Sequence, residues 1–150
     1  LKAPTADGWI PTLCVFGAKH GRDAWEKLKM HLAVAVRAGL FRIAADDDVL
    51  AGDPVEETIK AMAARSDAML CLVTPATMIS DAVPRMRSYT GPRVPVILGS
   101  ISGWNQILPG LRPIPADGKP ARGDEALSAV AEEVMRFAQR LQRREPTDHR

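Results

Sequence analysis

Cysteine is scarce in this sequence. Cys14 and Cys71 are the only two, each inside an apolar run and neither in a CxxC or Cys/His spacing, so zinc and dithiol templates find no match. Two buried, reduced thiols and no metal site are the expectation. No apolar run reaches the ~18 residues of a membrane-spanning helix, and 1–8 lack the charged-then-apolar pattern of a secretory leader. A cytoplasmic protein without a membrane partner is therefore expected. The chain opens on Leu rather than Met, as a piece of a longer protein with further domains before residue 1 would. An excess of one charge is also missing: 20 Lys and Arg against 18 Asp and Glu leave +2, which gives no electrostatic argument for nucleic acid. Internal repeats and low-complexity tracts are absent, which excludes solenoids and linkers.

What is present suits one ordinary domain. The 150 residues are 46% hydrophobic and 25% charged, enough apolar material for a single core and far from the profile of disorder. Thr12–Phe16 is a short apolar run closed by Gly17 and reads as a buried strand. Trp25, Leu28, Leu32, Ala35 and Val36 then share one helical face up to Gly39. Leu40–Ala45 reads as a second strand, ended by Asp46, Asp47 and Asp48. Asp53-Pro-Val-Glu56 has the form of an N-cap, a proline at the first helical position and an acid near the capping-box place, so a helix with Val55, Ile59, Met62 and Ala63 inward is expected.

The run Ala68–Val73, apolar on both faces, predicts a central parallel strand. Pro84 predicts a short or broken helix over 76–89. Val94–Leu98 is the next strand, with Pro95 favouring the sheet edge or the strand's start. The proline- and glycine-rich stretch 99–123 is too long for an ordinary connection, and reads as an ordered meander or functional loop. Asp124 is expected to cap a helix with Leu127, Val130, Val134, Phe137 and Leu141 on its buried face. Strands alternating with amphipathic helices predict a doubly wound α/β domain over 12–143, after a lead-in of 1–11 and before a charged tail of 144–150.

The order and spacing of these segments between Leu13 and Leu141 resemble a bacterial TIR-like (Toll/interleukin-1 receptor) domain. The resemblance is carried by Leu13–Asp23, Trp25–Leu32, Asp46–Gly52, Ser66–Pro75, Val94–Leu98 leading to Trp104, and Leu111–Pro120. It implies a flavodoxin-like parallel sheet of about five strands in the order 2-1-3-4-5. It also implies one of two functions. Some members associate with one another or with partners, commonly through the loop after the second strand, here Asp46, Asp47, Asp48, Leu50, Gly52, Asp53 and Pro54. Others cleave NAD, using a glutamate in a Ser-x-x-Cys-x-x-Glu pattern after the third strand.

The second function makes a demand that this chain does not meet. Cleaving the nicotinamide bond builds positive charge on the ribose, which a carboxylate stabilises. With the pattern set on Ser80, Val83 falls at the cysteine place and Met86 at the glutamate place. No acid occurs between Asp81 and Asp117, whereas Arg85, Arg87 and Arg93 do. Asp81 is the one nearby candidate for a catalytic carboxylate, and a solvated loop or helix-start residue is the reading that its type and place favour.

The loop after the first strand supplies a nucleotide-binding candidate in Gly17, Lys19, His20, Arg22 and Asp23, since open α/β sheets bind ligands at the carboxyl ends of their strands. It matches neither GxGxxG nor GxxxxGK[ST]. His31 and His149 carry no argument, and no Ser/His/Asp or Cys/His arrangement is present. The leading expectation is a TIR-like interaction domain of a bacterial defence or signalling system, without NAD hydrolysis and without a cofactor. Its partners would be other such domains or copies of itself, with the three acids meeting Arg85, Arg87 and Arg93 of a neighbour. The alternative is an NAD hydrolase, or a sensor holding NAD or another nucleotide, with an altered site.

Overall fold

The computed structural model describes residues 9–49 and 52–143. The elements follow in the order β1 (Thr12–Phe16), α1 (Arg22–Arg37), β2 (Arg42–Ala45), α2 (Val55–Ala64), β3 (Ala68–Val73), α3 (Pro75–Met78), α4 (Ala82–Ser88), β4 (Arg93–Ile97), α5 (Trp104–Ile107) and α6 (Gly123–Gln142). All strand pairs are parallel and the sheet order is β2-β1-β3-β4. Among the described residues four strands replace the five expected. This α/β arrangement is compatible with a flavodoxin-like fold.

The missing strand has a local cause. Where it would lie, Ile114 alone bridges to Val96 beside β4. Its N–H donates to the Pro95 carbonyl, and its carbonyl accepts from Ile97. Pro113 and Pro115 flank it, and a proline ring holds φ near −65° where a parallel strand needs about −120°. The extended segment ends as soon as it begins. The stretch 99–123 is an ordered meander, tied to β4 a second time by Ala121 N–H to the Ile97 carbonyl.

Alternation along the strands sorts the core into two layers. Leu13, Val15, Leu70, Leu72, Val94 and Val96 face α1 and α6, where Trp25, Leu28, Leu32, Val130 and Val134 complete one cluster. Cys14, Phe16, Met69, Cys71, Val73 and Ile97 face the other side, against Ile59 and Met62 of α2 and Met78 and Met86 beyond β3. Helices thus cover both faces, as the apolar run Ala68–Val73 predicts. All six of its residues are buried, and each large side chain there contributes about 1.5–3 kcal/mol through burial. Both thiols are free and buried, and burial pushes Cys14 up to about 11 and Cys71 to about 12.

Several boundaries differ from expectation. β2 starts at Arg42, not Leu40. Pro54, not Asp53, is the N-cap of α2, without a side-chain capping bond, and Val55 is exposed instead of inward. Arg122, not Asp124, precedes α6, and Phe137 is only partly buried. The helix over 76–89 is broken as expected, into α3 and α4. Pro84 sits in the first turn of α4, where no intrahelical N–H is required of it. Pro95 lies mid-strand, but on the outer strand of the sheet, and its carbonyl points outward to Ile114. The N–H it lacks would point the same way, so no bond to β3 is lost.

Candidate functional site

In an order of 2-1-3-4 the chain runs from β1 outward to β2 and then returns to β3, so the carboxyl ends of β1 and β3 flank the switch point where open α/β sheets leave a crevice. Three loops meet there: the one after β1, the turn from β3 into α3, and the turn from α3 into α4.

The first of these is built around a buried carboxylate. Asp46, just past β2, is only 5% exposed. Its side chain accepts the Gly17 N–H at 2.8 Å and the Lys19 N–H at 3.1 Å. Burial pushes this carboxyl above its usual range, while the N–H groups of Gly17, Lys19 and Ala18 and the nearby His20 pull it back. Asp46 is therefore not part of an exposed acidic tip. Asp48 is exposed, with its carboxylate accepting the Ala45 N–H at 3.0 Å. Asp47 is half-buried, and burial followed by the neighbouring charge of Asp48 raises it. Gly52, Asp53 and Pro54 are exposed; Leu50, like residues 144–150 with His149, lies outside the described residues.

The same bonds bear on the nucleotide-binding candidate. A phosphate cradle needs backbone N–H groups aimed at the ligand, and two of those offered by this loop are already directed at a carboxylate. Gly21 N–H is likewise used, by the Gly17 carbonyl at 2.8 Å. Lys19, His20, Arg22 and Asp23 are exposed side chains around it. Gly17 is required for a steric reason: it has φ +96°, and a Cβ there would lie 2.9 Å from the Thr77 methyl.

Thr77 belongs to a device that sequence reading placed elsewhere. Thr74, Pro75 and Thr77 form a capping box at the start of α3. Thr74 N–H donates to Thr77 Oγ1 at 2.9 Å, Thr77 N–H donates to Thr74 Oγ1 at 3.2 Å, and Thr77 Oγ1 donates to the Leu72 carbonyl at 2.7 Å. The signal was present as Thr-Pro-x-Thr directly after an apolar strand, a threonine N-cap with proline at the first helical position.

The structure brings the weak catalytic candidate to the nucleotide-loop histidine. Asp81 Oδ1 lies 3.4 Å from His20 Nε2 and 3.5 Å from Arg85 Nη1. Arg85 also pairs with Glu56 at the start of α2. The chain His20–Asp81–Arg85–Glu56 thus joins three segments far apart in sequence. Glu56 and Arg85 also line a cavity of about 520 Å³ between α2 and α4, with Phe16, Ile59, Lys60 and Tyr89 among its walls. Tyr89 closes it from within, donating its hydroxyl to the Ser66 carbonyl at 3.0 Å; burial raises the phenol strongly. The Glu56–Arg85 pair was invisible to local patterning, because 29 residues separate its members.

Met86 takes no part in this cluster. It is 0% exposed and belongs to the apolar layer under α4. Of the three arginines expected to meet a neighbour's acids, Arg85 pairs within the chain with Glu56 and Asp81 and Arg93 Nη1 donates to the Met86 carbonyl at 3.0 Å and that of Arg87 at 3.4 Å, while the Arg87 side chain is exposed. Among the described residues no group of three or more His, Cys, Asp or Glu is placed to hold a metal ion, and no helix is long and apolar enough to cross a membrane.

Fold and site together define a parallel α/β domain with a polar cluster at the carboxyl end of its sheet. No family model matches the chain, and no curated protein compared with it is similar.

Proposed function

We propose that this chain is a TIR-like interaction and signalling domain that does not hydrolyse NAD, acting by fold analogy in a bacterial defence or signalling system. The observation that carries the reading is Met86. At the place where the resemblance calls for a glutamate, the side chain is apolar and sealed in the core, so it can neither accept a proton nor stabilise a developing cation. Exposed apolar side chains support a contact function: Met30 and Val34, one turn apart on α1, are each 77% exposed and Ile79 is 87% exposed. In this reading the fifth strand of a TIR-type sheet is reduced to the single bridge at Ile114, and the contact loop loses Asp46 to the interior and retains Asp48 and the exposed 52–54.

One observation favours the second reading, a hydrolase with an altered site: Asp81 stands beside His20 at the crevice. Against it, Arg85 already neutralises that carboxylate, and a guanidinium at the site opposes the cation that the reaction would build.

Concentrated protein is to be incubated with NAD and nicotinamide release followed by chromatography, with self-association measured in the same samples by light scattering. The expected result is no release together with association that Asp48→Lys combined with Asp53→Lys reduces at least about tenfold, the effect of losing two interfacial charges of ~1 kcal/mol each. Release abolished by Asp81→Ala would establish the hydrolase instead. Association unchanged in the lysine variant would remove the loop from the contact.

A further inference from the structure

On the opposite flank of the molecule from the Asp46 loop, between the outer edge of β4 and α6, lies a second cavity of about 440 Å³. Its charged lining is one-sided: Arg93, Arg112, Arg136 and Arg140 against Glu133 alone. The whole chain carries only +2, so this pocket concentrates positive charge on an otherwise balanced surface. Like charges gather at a cost in folding, and among the described residues Arg112, Arg136 and Arg140 have neither a salt bridge nor a hydrogen bond to offset it. Arg93 borders the cavity but sends its Nη1 to the carbonyls of Met86 and Arg87 in α4, so Arg112, Arg136 and Arg140 carry the positive lining.

We propose that this pocket binds a phosphorylated small molecule. The guanidinium fork matches phosphate oxygens two at a time, and several forks around one concavity suit a compact, multiply charged group. The volume falls within the range of about 300–1,000 Å³ typical of small-molecule sites. An acidic polypeptide spreads its carboxylates along an extended chain and fits a flat surface better than a cavity of this size. Val94, Ile114 and Phe137 form the apolar part of the lining, which assigns an uncharged, ring-like or aliphatic portion to the ligand. The site is separate from the Asp81 cluster and does not depend on the function proposed above.

The test titrates the full chain with inorganic phosphate and with phenyl phosphate, read by calorimetry and by backbone amide NMR shifts. Saturable binding of both is expected, tighter for phenyl phosphate, with the largest shifts at Ile114 and along α6. Arg136→Gln with Arg140→Gln, at exposed helix positions where the fold tolerates glutamine, weakens binding at least about tenfold, the equivalent of one charge-assisted contact. Lys27→Gln with Arg37→Gln on the outer face of α1 leaves it unchanged, and thermal melts confirm that both variants fold. Absence of saturable binding, or equal affinity in the arginine variant, would overturn the site. Equal affinity for the two probes would remove the apolar portion of the ligand, and displacement of phenyl phosphate by a poly-glutamate peptide at lower concentration would assign the pocket to an acidic partner.

Discussion

Asp46 sets burial against charge, and pH is the variable that separates them. Its folded carboxyl is raised above the ordinary value, chiefly by burial. A raised acid holds its proton longer in the folded state than in the unfolded one. Its contribution to stability is therefore fullest below the unfolded value of about 3.9 and is lost as pH rises through the folded value. Asp46→Asn removes that titration and leaves one of the two loop N–H groups without its acceptor, a loss of about 1–3 kcal/mol. Urea denaturation of both proteins from about pH 4 to about pH 7 checks this: wild type is expected to be the more stable, with the gap narrowing as pH rises. A gap that widened would show that the two amide bonds outweigh burial and hold the carboxyl low.

At the scale of elements, the capping box of α3 joins a strand end to a loop and a helix. Thr77 is fully buried, and its hydroxyl serves both the Thr74 N–H and the Leu72 carbonyl. Thr77→Val strands both and is expected to cost about 1–3 kcal/mol, whereas Thr77→Ser keeps the hydroxyl and costs about 1 kcal/mol for the lost methyl; thermal denaturation ranks the two. Elements with strong periodicity were legible in the sequence. Trp25, Leu28 and Leu32 marked the inner face of α1, and the apolar run of β3 announced a strand covered on both sides. The starts of α2 and α6 were not: Asp53 and Asp124 have the residue type of a cap, yet Pro54 and Arg122 hold the position, because capping depends on backbone angles that composition does not encode. The candidate site was legible only in pieces. His20, Asp81 and the Asp46 loop were each singled out, but a hydrogen bond across 29 residues from the Gly17 N–H to the Asp46 carboxylate, or an ion pair between α2 and α4, arises from topology alone.

Seen whole, the molecule is a sheet with helices on both faces, and its two long sides are finished differently. Beside β4 the last residue in the ladder, Ile114, turns both its N–H and its carbonyl inward. Pro113 and Pro115 flank it on either side, and neither has an N–H to offer. Pro113→Val restores one backbone donor beside the bridge and a residue of high β-propensity. It is expected to increase thioflavin-positive aggregation on prolonged incubation, while the wild type under the same conditions stays clear. The prolines therefore act as gatekeepers: they deny an incoming strand its template, so that a domain proposed to assemble through side chains is protected on this flank from the indiscriminate cross-β stacking that an open edge invites.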